Sequence, residues 1–119
     1  MRLLLVSDIF GRTPALGKIR DELKCAGADT SIIDPYSGKF HSFRNQNHAY
    51  SHFMAAAGLD SYMSILGNHI RGISTPLVLV GFSIGASIIW KLSGSSDLPQ
   101  VKKAFGFYGS QIRKMTEIN

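Results

Sequence analysis

The chain has 119 residues, the size of one domain, and 45% of them are hydrophobic, which is enough for a small core. Its net charge of +5 comes from 13 basic and 8 acidic residues, and the basic residues are scattered. No dense basic run with interleaved aromatic residues occurs, which argues against nucleic-acid binding. No apolar stretch is long enough to cross a membrane, and the single cysteine, Cys25, excludes an internal disulfide. We therefore expect a soluble, cytoplasmic protein.

The first third of the chain predicts a strand, a helix and a second strand. Residues 3–7 form a continuous apolar run, typical of a strand buried on both faces. Thr13 and Pro14 mark a helix start, as N-cap and first helical residue, and Gly27 marks its end. A second strand is predicted over residues 29–33, before Asp34 and Pro35.

The rest of the chain continues the alternation of helices and strands. Asn47 is predicted to cap a helix through Ala57, and Asp60 or Ser61 to cap another that reaches Ile70. The sequence then predicts a strand over 76–82, a helix over 84–92, a surface turn over 94–99, a strand over 103–108 that ends before Gly109 and Ser110, and no clear element over 111–119.

This order of elements, β-α-β-α-α-β-α-β, predicts an α/β fold. Right-handed crossovers give a parallel sheet with helices on both faces and the strand order 2-1-3-4. Ligands of such sheets bind at the carboxyl ends of the strands. Residues 8–10 and Ser83 both follow strands there, and we expect them to lie at the same edge.

The sequence Gly-Phe-Ser-Ile-Gly at residues 81–85 is the most informative motif. It stands between a predicted strand and a predicted helix, which is the context of a nucleophile elbow. There the turn strains the Ser83 backbone so that its hydroxyl stands above the sheet edge, while Gly81 and Gly85 leave room for neighbouring elements. The alternative is an ordinary strand-to-helix turn with Ser83 as a helix cap.

Three stretches together resemble one family: Leu-Val-Ser-Asp-Ile-Phe-Gly at 5–11, the Gly-x-Ser-x-Gly motif, and Ala-Phe-Gly-Phe-Tyr-Gly at 104–109. They resemble the oxyanion loop, the elbow and the following strand of dienelactone hydrolases, a branch of the α/β-hydrolases that acts on esters, lactones and related acyl compounds. The resemblance implies a small acyl substrate, no cofactor, a Ser83 nucleophile and an oxyanion hole made by the N–H groups of Ile9 and Ile84.

This sequence departs from the family pattern at two positions. Typical dienelactone hydrolases carry cysteine at the position of Ser83 and glutamate at the position of Asp8. In the family that carboxylate contacts the resting nucleophile, so the resemblance assigns Asp8 as the resting-state carboxylate, although its side chain is shorter. The alternative for Asp8 is a carboxylate that caps its own loop.

The acid and histidine of the triad do not follow the nucleophile in the expected order. After Ser83 the acidic residues are Asp97 and Glu117, and no histidine follows. We therefore interpret the chain as the N-terminal part of a hydrolase truncated at its C-terminus, and expect poor turnover from it. The fourth strand is then predicted to be an exposed edge that favours self-association.

The four histidines all precede the elbow. His48 and His52 are one helical turn apart, but no third ligand accompanies them, so no metal site is predicted. His41 or His69 is a candidate stand-in base. Five aromatic residues are candidates to line an acyl pocket or to form the core: Tyr36, Phe40, Phe43, Phe53 and Tyr62.

Two other functions stay open at the level of sequence. One is a non-catalytic binding module that keeps the fold without the triad. The other is a flavodoxin-like domain that binds a phosphate-bearing ligand at the turn and the helix N-terminus. The motif lacks the lysine of a Walker loop, which ranks the second of these lower.

Overall fold

The computed structural model describes residues 2–93, 98–107 and 115–118, with only the backbone described at Ser93 and in the last segment. It forms one five-stranded sheet with four helices in this part of the chain. In chain order the elements are β1 (Arg2–Val6), α1 (Pro14–Cys25), β2 (Asp29–Ile33), α2 (Gln46–Ala56), α3 (Gly58–Arg71), β3 (Leu77–Phe82), α4 (Ile84–Ser93), β4 (Val101–Phe107) and β5 (Met115–Ile118).

The sheet has the order β2-β1-β3-β4-β5. The first four of these strands are parallel, which confirms the predicted order 2-1-3-4. Val6 pairs with Ile33 on one side and with Gly81 on the other, so the carboxyl ends of β1, β2 and β3 lie side by side. The loops that leave these strands therefore share one edge of the sheet.

Both predicted ends of α1 are confirmed, and local hydrogen bonds explain them. The Thr13 hydroxyl accepts the Leu16 N–H at 3.2 Å, and Pro14 occupies the first helical position. At the other end Gly27 has a φ of +99°, and the Ala28 N–H returns to the Leu23 carbonyl at 3.0 Å. This Schellman arrangement needs a left-handed residue, which glycine adopts at the lowest cost.

The ends of α2 and α3 differ from the prediction. Asn45, rather than Asn47, caps α2, because its side-chain oxygen accepts the His48 N–H at 2.8 Å. Gly58 begins α3, earlier than the predicted caps Asp60 and Ser61. Ala57 ends one helix and begins the next, with a φ of −139°, so no capping side chain stands between them.

The prediction that β4 is an exposed edge is wrong. β5 pairs with it antiparallel, from Ala104 opposite Ile118 to Phe107 opposite Met115. No pattern in the sequence indicated this strand, because its four residues are too few for a hydrophobic alternation to emerge. The proposed self-association through the β4 edge loses its basis, and β2 and β5 are the edges of the sheet.

Helices cover both faces of the sheet, as predicted, but unequally. On one face α1 packs over Leu5 and Ile32 through Leu16. On the other face α2, α3 and α4 enclose the larger core, which includes Leu4, Leu79, Tyr62, Leu66 and Ile88. None of the helices in the described ranges is both long enough and apolar enough to cross a membrane.

Some predicted features lie outside the described residues. They are most of the turn over residues 94–99, the predicted last residue of the fourth strand (Tyr108) and the segment 109–114.

Candidate active site

Ser83 lies in a strained turn at the carboxyl end of β3. Its φ is +55°, in the left-handed region that residues with a side chain adopt at a cost, and the residue is exposed. The backbone is anchored on both sides: the Ser83 N–H donates to the Phe107 carbonyl at 2.6 Å, and the Ser83 carbonyl accepts the Ser87 N–H at 3.1 Å. Its hydroxyl, by contrast, has no hydrogen-bond partner among the described residues.

The two glycines of the motif are required by space. A Cβ on Gly81 would lie 2.6 Å from Ile89 Cδ1 and 2.7 Å from the Ala86 nitrogen. A Cβ on Gly85 would collide with the carbonyl oxygens of Val6 and Ser7. The second of these contacts shows that the first turn of α4 presses directly against the end of β1. The close approach of the helix to the neighbouring strand, which the sequence predicted as the reason for glycine, is present in the structure.

Two backbone N–H groups at this edge have no hydrogen-bond partner among the described residues. Ile84 is the first residue of α4, and helix N-termini leave such donors unpaired. Ile9 stands in the loop that leaves β1, the strand against which Gly85 packs. Neither N–H donates to another residue in the described ranges. Whether the two converge on one oxygen stays a prediction, and the packing of Gly85 on β1 favours it.

Asp8 closes its own loop. Its carboxylate Oδ1 accepts the Phe10 N–H at 2.9 Å, and within the described contacts the carboxylate makes no hydrogen bond to Ser83. Burial raises the pKa of this carboxyl above its ordinary value, and the Phe10 N–H opposes that rise. The geometry is that of the alternative in which Asp8 caps its own loop, and the resting-state contact with the nucleophile stays a prediction.

Tyr36 holds the same loop from the side of β2. Its hydroxyl donates to the Ile9 carbonyl at 2.5 Å, and its ring fills the place where Gly11 would carry a Cβ, 2.9 Å from Tyr36 Cδ2. Burial, together with the charges of Asp8 and Asp34, raises the pKa of Tyr36 to about 12, so the hydroxyl keeps its proton near neutral pH. The sequence marked Tyr36 only as a candidate pocket residue.

Asp34, which the sequence marked only as a strand stop, organises the loop after β2. Its buried carboxylate accepts the N–H groups of Tyr36 and Gly38 at 2.9 and 3.0 Å and pairs with Arg12 Nε at 2.9 Å. Arg12 also donates to the Ile32 carbonyl at 2.8 Å. The only signal in the sequence was the spacing Asp-Pro-x-Ser-Gly, which is typical of an aspartate that accepts hydrogen bonds from a following turn.

The histidines fall into two places. His41 and His52 are in ring contact, with centroids 4.5 Å apart, and both contact Tyr36 at 4.9 and 5.1 Å. His69 lies instead near Arg2, at the opposite end of β1, where burial and the arginine charge lower its pKa. This position is at the wrong edge of the sheet for a base that serves Ser83, so the interpretation of His69 as a stand-in base is wrong.

His48 and His52 lie one turn apart on α2, as predicted, but His48 Nδ1 accepts the Arg44 N–H at 3.1 Å. Within the described residues no three metal-ligating side chains come together. Asp97 lies outside the described residues, and so does the side chain of Glu117, although its backbone belongs to β5.

The candidate pocket aromatics separate into core and surface. Phe53 and Tyr62 are buried with ring centroids 6.0 Å apart, while Phe40 is 63% exposed. The Tyr62 hydroxyl donates to the Ser7 carbonyl at 2.7 Å, at the start of the loop that carries Ile9. Besides Tyr36, Phe43 lies beside that loop, tilted against Tyr36 at 6.2 Å and edge-on to Phe10 at 6.1 Å. A recess of about 160 Å³ lies on the α1 side, between Asp8 and Phe82.

Comparison with known proteins supplies relatives but no activity. No protein-family model matches the chain. The chain is similar to the uncharacterized protein YczH of Bacillus subtilis (strain 168), with 29% identity over 115 residues that cover 93% of this chain and 54% of YczH. The chain therefore spans about half the length of this curated relative, whose name states no substrate, cofactor or partner.

Proposed function

We propose that this chain carries the nucleophile and oxyanion hole of a serine hydrolase of the dienelactone hydrolase type, which acts on a small ester, lactone or related acyl compound. One observation supports this proposal above the others. Ser83 is exposed in a left-handed turn between a parallel strand and a helix, its hydroxyl has no partner in the described part of the chain, and glycines are required on both sides. An ordinary helix cap uses its hydroxyl on the helix and needs no such strain.

In the proposed reaction Ser83 Oγ attacks the acyl carbon. The carbonyl electron pair moves onto oxygen, and the N–H groups of Ile9 and Ile84 stabilise that charge. Fixed donors of this kind contribute about 3–4 kcal/mol each in known enzymes. The bond between the acyl carbon and the alkoxy oxygen then breaks, and the alkoxide takes up, through solvent, the proton that Ser83 lost. Water next attacks the acyl-serine, the acid is released and Ser83 Oγ regains a proton. The exposed Cys25 forms no disulfide, which fits a reducing compartment, and we propose that the protein acts in the cytoplasm.

The proton of Ser83 needs a base, and none contacts the hydroxyl in the described part of the chain. His41 and His52 are one side chain away from the Ile9 loop, through Tyr36. We therefore expect slow acylation rather than fast turnover, since without its base a triad keeps only oxyanion-hole and binding catalysis, roughly a thousandfold over water.

Labelling with a fluorophosphonate tests the nucleophile without needing turnover. Ser83 Oγ forms a bond to phosphorus, the phosphorus–fluorine bond breaks, fluoride leaves and the hydroxyl proton passes to solvent. We expect mass spectrometry of the digested protein to find one phosphonate, on Ser83, and Ser83→Ala to abolish it. Ser74, exposed before the opposite end of β3, is the matched control, and Ser74→Ala should label like the wild type.

Two results would contradict the proposal. Equal labelling of the wild type and Ser83→Ala would mean that the probe reacts non-specifically. An unlabelled Ser83 in a folded chain would favour the non-catalytic binding module, or the phosphate-binding alternative if inorganic phosphate shifts the amide resonances of residues 83–86 in an NMR titration.

A further inference from the structure

The loop after β1 leaves one N–H group unbonded in a run of two peptides. In the peptide between Asp8 and Ile9, the carbonyl accepts both the Gly11 N–H at 3.1 Å and the Ser7 hydroxyl at 2.9 Å. In the next peptide, the Phe10 N–H donates to Asp8 Oδ1 at 2.9 Å and the Ile9 carbonyl accepts the Tyr36 hydroxyl at 2.5 Å. Three of the four polar groups are thus fixed, and the fourth is the Ile9 N–H.

The two side chains hold opposite ends of the same peptide plane. The Asp8 carboxylate accepts the N–H of this peptide, and the Tyr36 hydroxyl donates to its carbonyl. The peptide plane therefore cannot rotate without breaking a hydrogen bond. Holding that plane keeps Gly11 where its N–H reaches the Asp8 carbonyl, and this carbonyl lies in the same peptide plane as the Ile9 N–H. A catalytic hydrogen-bond donor must be fixed before the reaction, because reorientation during the reaction removes its benefit.

The support for Tyr36 is itself rigid. Its own N–H donates to Asp34 Oδ2 at 2.9 Å, and Gly11, with a φ of +77°, lets the ring approach the loop. The rings of His41 and His52 pack against it from the other side. The hydroxyl that reaches Ile9 is therefore held by β2 and α2, two elements that do not belong to the loop.

We propose that Asp8 and Tyr36 are positioning residues that clamp the Ile9–Phe10 peptide and thereby aim the Ile9 N–H as an oxyanion donor. This inference rests on the proposed function, and it assigns to Asp8 a role different from contact with the nucleophile. Tyr36 acts through its hydroxyl rather than through its ring.

The test is the rate of fluorophosphonate labelling of Ser83, separated into the maximal rate kinact and the binding constant KI. We expect Tyr36→Phe and Asp8→Ala each to lower kinact by about tenfold, less than the roughly hundredfold or greater loss on removing a donor outright. KI and the melting temperature should stay near the wild-type values. Asp8→Asn keeps an oxygen at Oδ1 and should recover most of kinact. Tyr50→Phe, which changes a tyrosine that is 54% exposed on α2, is the control.

A second measurement reads the clamp without a reactive serine. Amide hydrogen exchange by NMR should show Phe10 protected in the wild type and in Asp8→Asn but not in Asp8→Ala. An unlabelled wild type with a protected Phe10 would overturn the proposed function and the catalytic role, while showing that the clamp exists.

Three results would overturn the clamp. The first is an unprotected Phe10 in the wild type. The second is kinact unchanged in both Tyr36→Phe and Asp8→Ala. The third is a raised KI together with a lowered melting temperature, which would mean that the two side chains are merely structural.

Discussion

Two serines at the same edge of the sheet have nearly the same strained backbone, yet they stand in opposite surroundings. Ser37, in the loop after β2, has a φ of +56°, and Ser83, in the turn after β3, has a φ of +55°. Around Ser37 the neighbouring N–H groups are bonded: Asp34 accepts those of Tyr36 and Gly38, and the Lys39 N–H donates to the Tyr36 carbonyl at 3.1 Å, while the N–H and hydroxyl of Ser37 have no partner among the described residues. Around Ser83, the Ile84 N–H and the serine hydroxyl are left without described partners.

The comparison shows that strain alone does not mark a functional residue. The strain at Ser37 belongs to a tight turn in which the N–H groups on both sides of the serine are bonded to Asp34. At Ser83 a similar strain exposes a hydroxyl beside unpaired donors, and unpaired donors are what a ligand oxygen needs. The loop after β2, which we call the closed loop, also supports the loop after β1, because Asp34 accepts the Tyr36 N–H and the Tyr36 hydroxyl donates to the Ile9 carbonyl. The turn at Ser83, with its unpaired groups, is the open loop.

Removing the Asp34 carboxylate from the loop after β2 should have the largest effect on stability. Asp34→Ala removes the acceptor of two N–H groups and leaves Arg12 without its partner, and we expect a loss of about 3 kcal/mol in the free energy of unfolding, measured in urea. Asp21→Ala breaks another Arg–Asp pair, to Arg20, in which the aspartate side chain is 67% exposed, and should cost less than about 1 kcal/mol. Equal losses in the two variants would mean that the buried hydrogen bonds of Asp34 add nothing to an ordinary surface ion pair.

Filling the space beneath the elbow should have the next largest effect. Gly85→Ala places a Cβ against the carbonyl oxygens of Val6 and Ser7, which are backbone atoms that cannot turn away, and should cost about 2–3 kcal/mol. Gly17 in α1 has only the end of the Arg20 side chain near, at 3.8 Å, so Gly17→Ala should stabilise by up to about 1 kcal/mol. Thermal unfolding would contradict this explanation if both variants shifted in the same direction.

The sequence was sufficient to predict the sheet and the elbow because both rest on local patterns. Apolar runs, Thr13 before Pro14 and the Gly-x-Ser-x-Gly spacing each report on a few neighbouring residues. The strand order followed from the handedness of crossovers. The β5 strand was missed because its four residues are too few to show a strand pattern.

The support of the Ile9 loop could not be predicted because it depends on a contact between residues far apart in the chain. The hydrogen bond from Tyr36 to Ile9 joins residues 27 positions apart, and no periodicity encodes it. The Asp8 side chain, by contrast, bonds two residues ahead, a local pattern that the sequence did raise as an alternative. The position of His69 at the opposite end of β1 follows from the direction in which α3 runs. That direction could not be predicted from the spacing of the histidines in the sequence.

The smallest expected effect separates strain from function at the two serines. Glycine adopts a positive φ without the cost of about 1–2 kcal/mol that a side chain incurs, but it loses about 0.5–1 kcal/mol through the greater freedom of the unfolded chain. We therefore expect Ser37→Gly and Ser83→Gly each to raise the free energy of unfolding by about 0.5–1 kcal/mol in urea denaturation. Only Ser83→Gly should abolish fluorophosphonate labelling, since the proposed nucleophile is Ser83. Ser83→Ala keeps a Cβ at the same φ and should leave stability unchanged, which separates the strain from the hydroxyl.

If Ser83→Gly were less stable than the wild type while Ser37→Gly were more stable, the Ser83 side chain would hold the turn together, and the contrast between a closed and an open loop would be wrong.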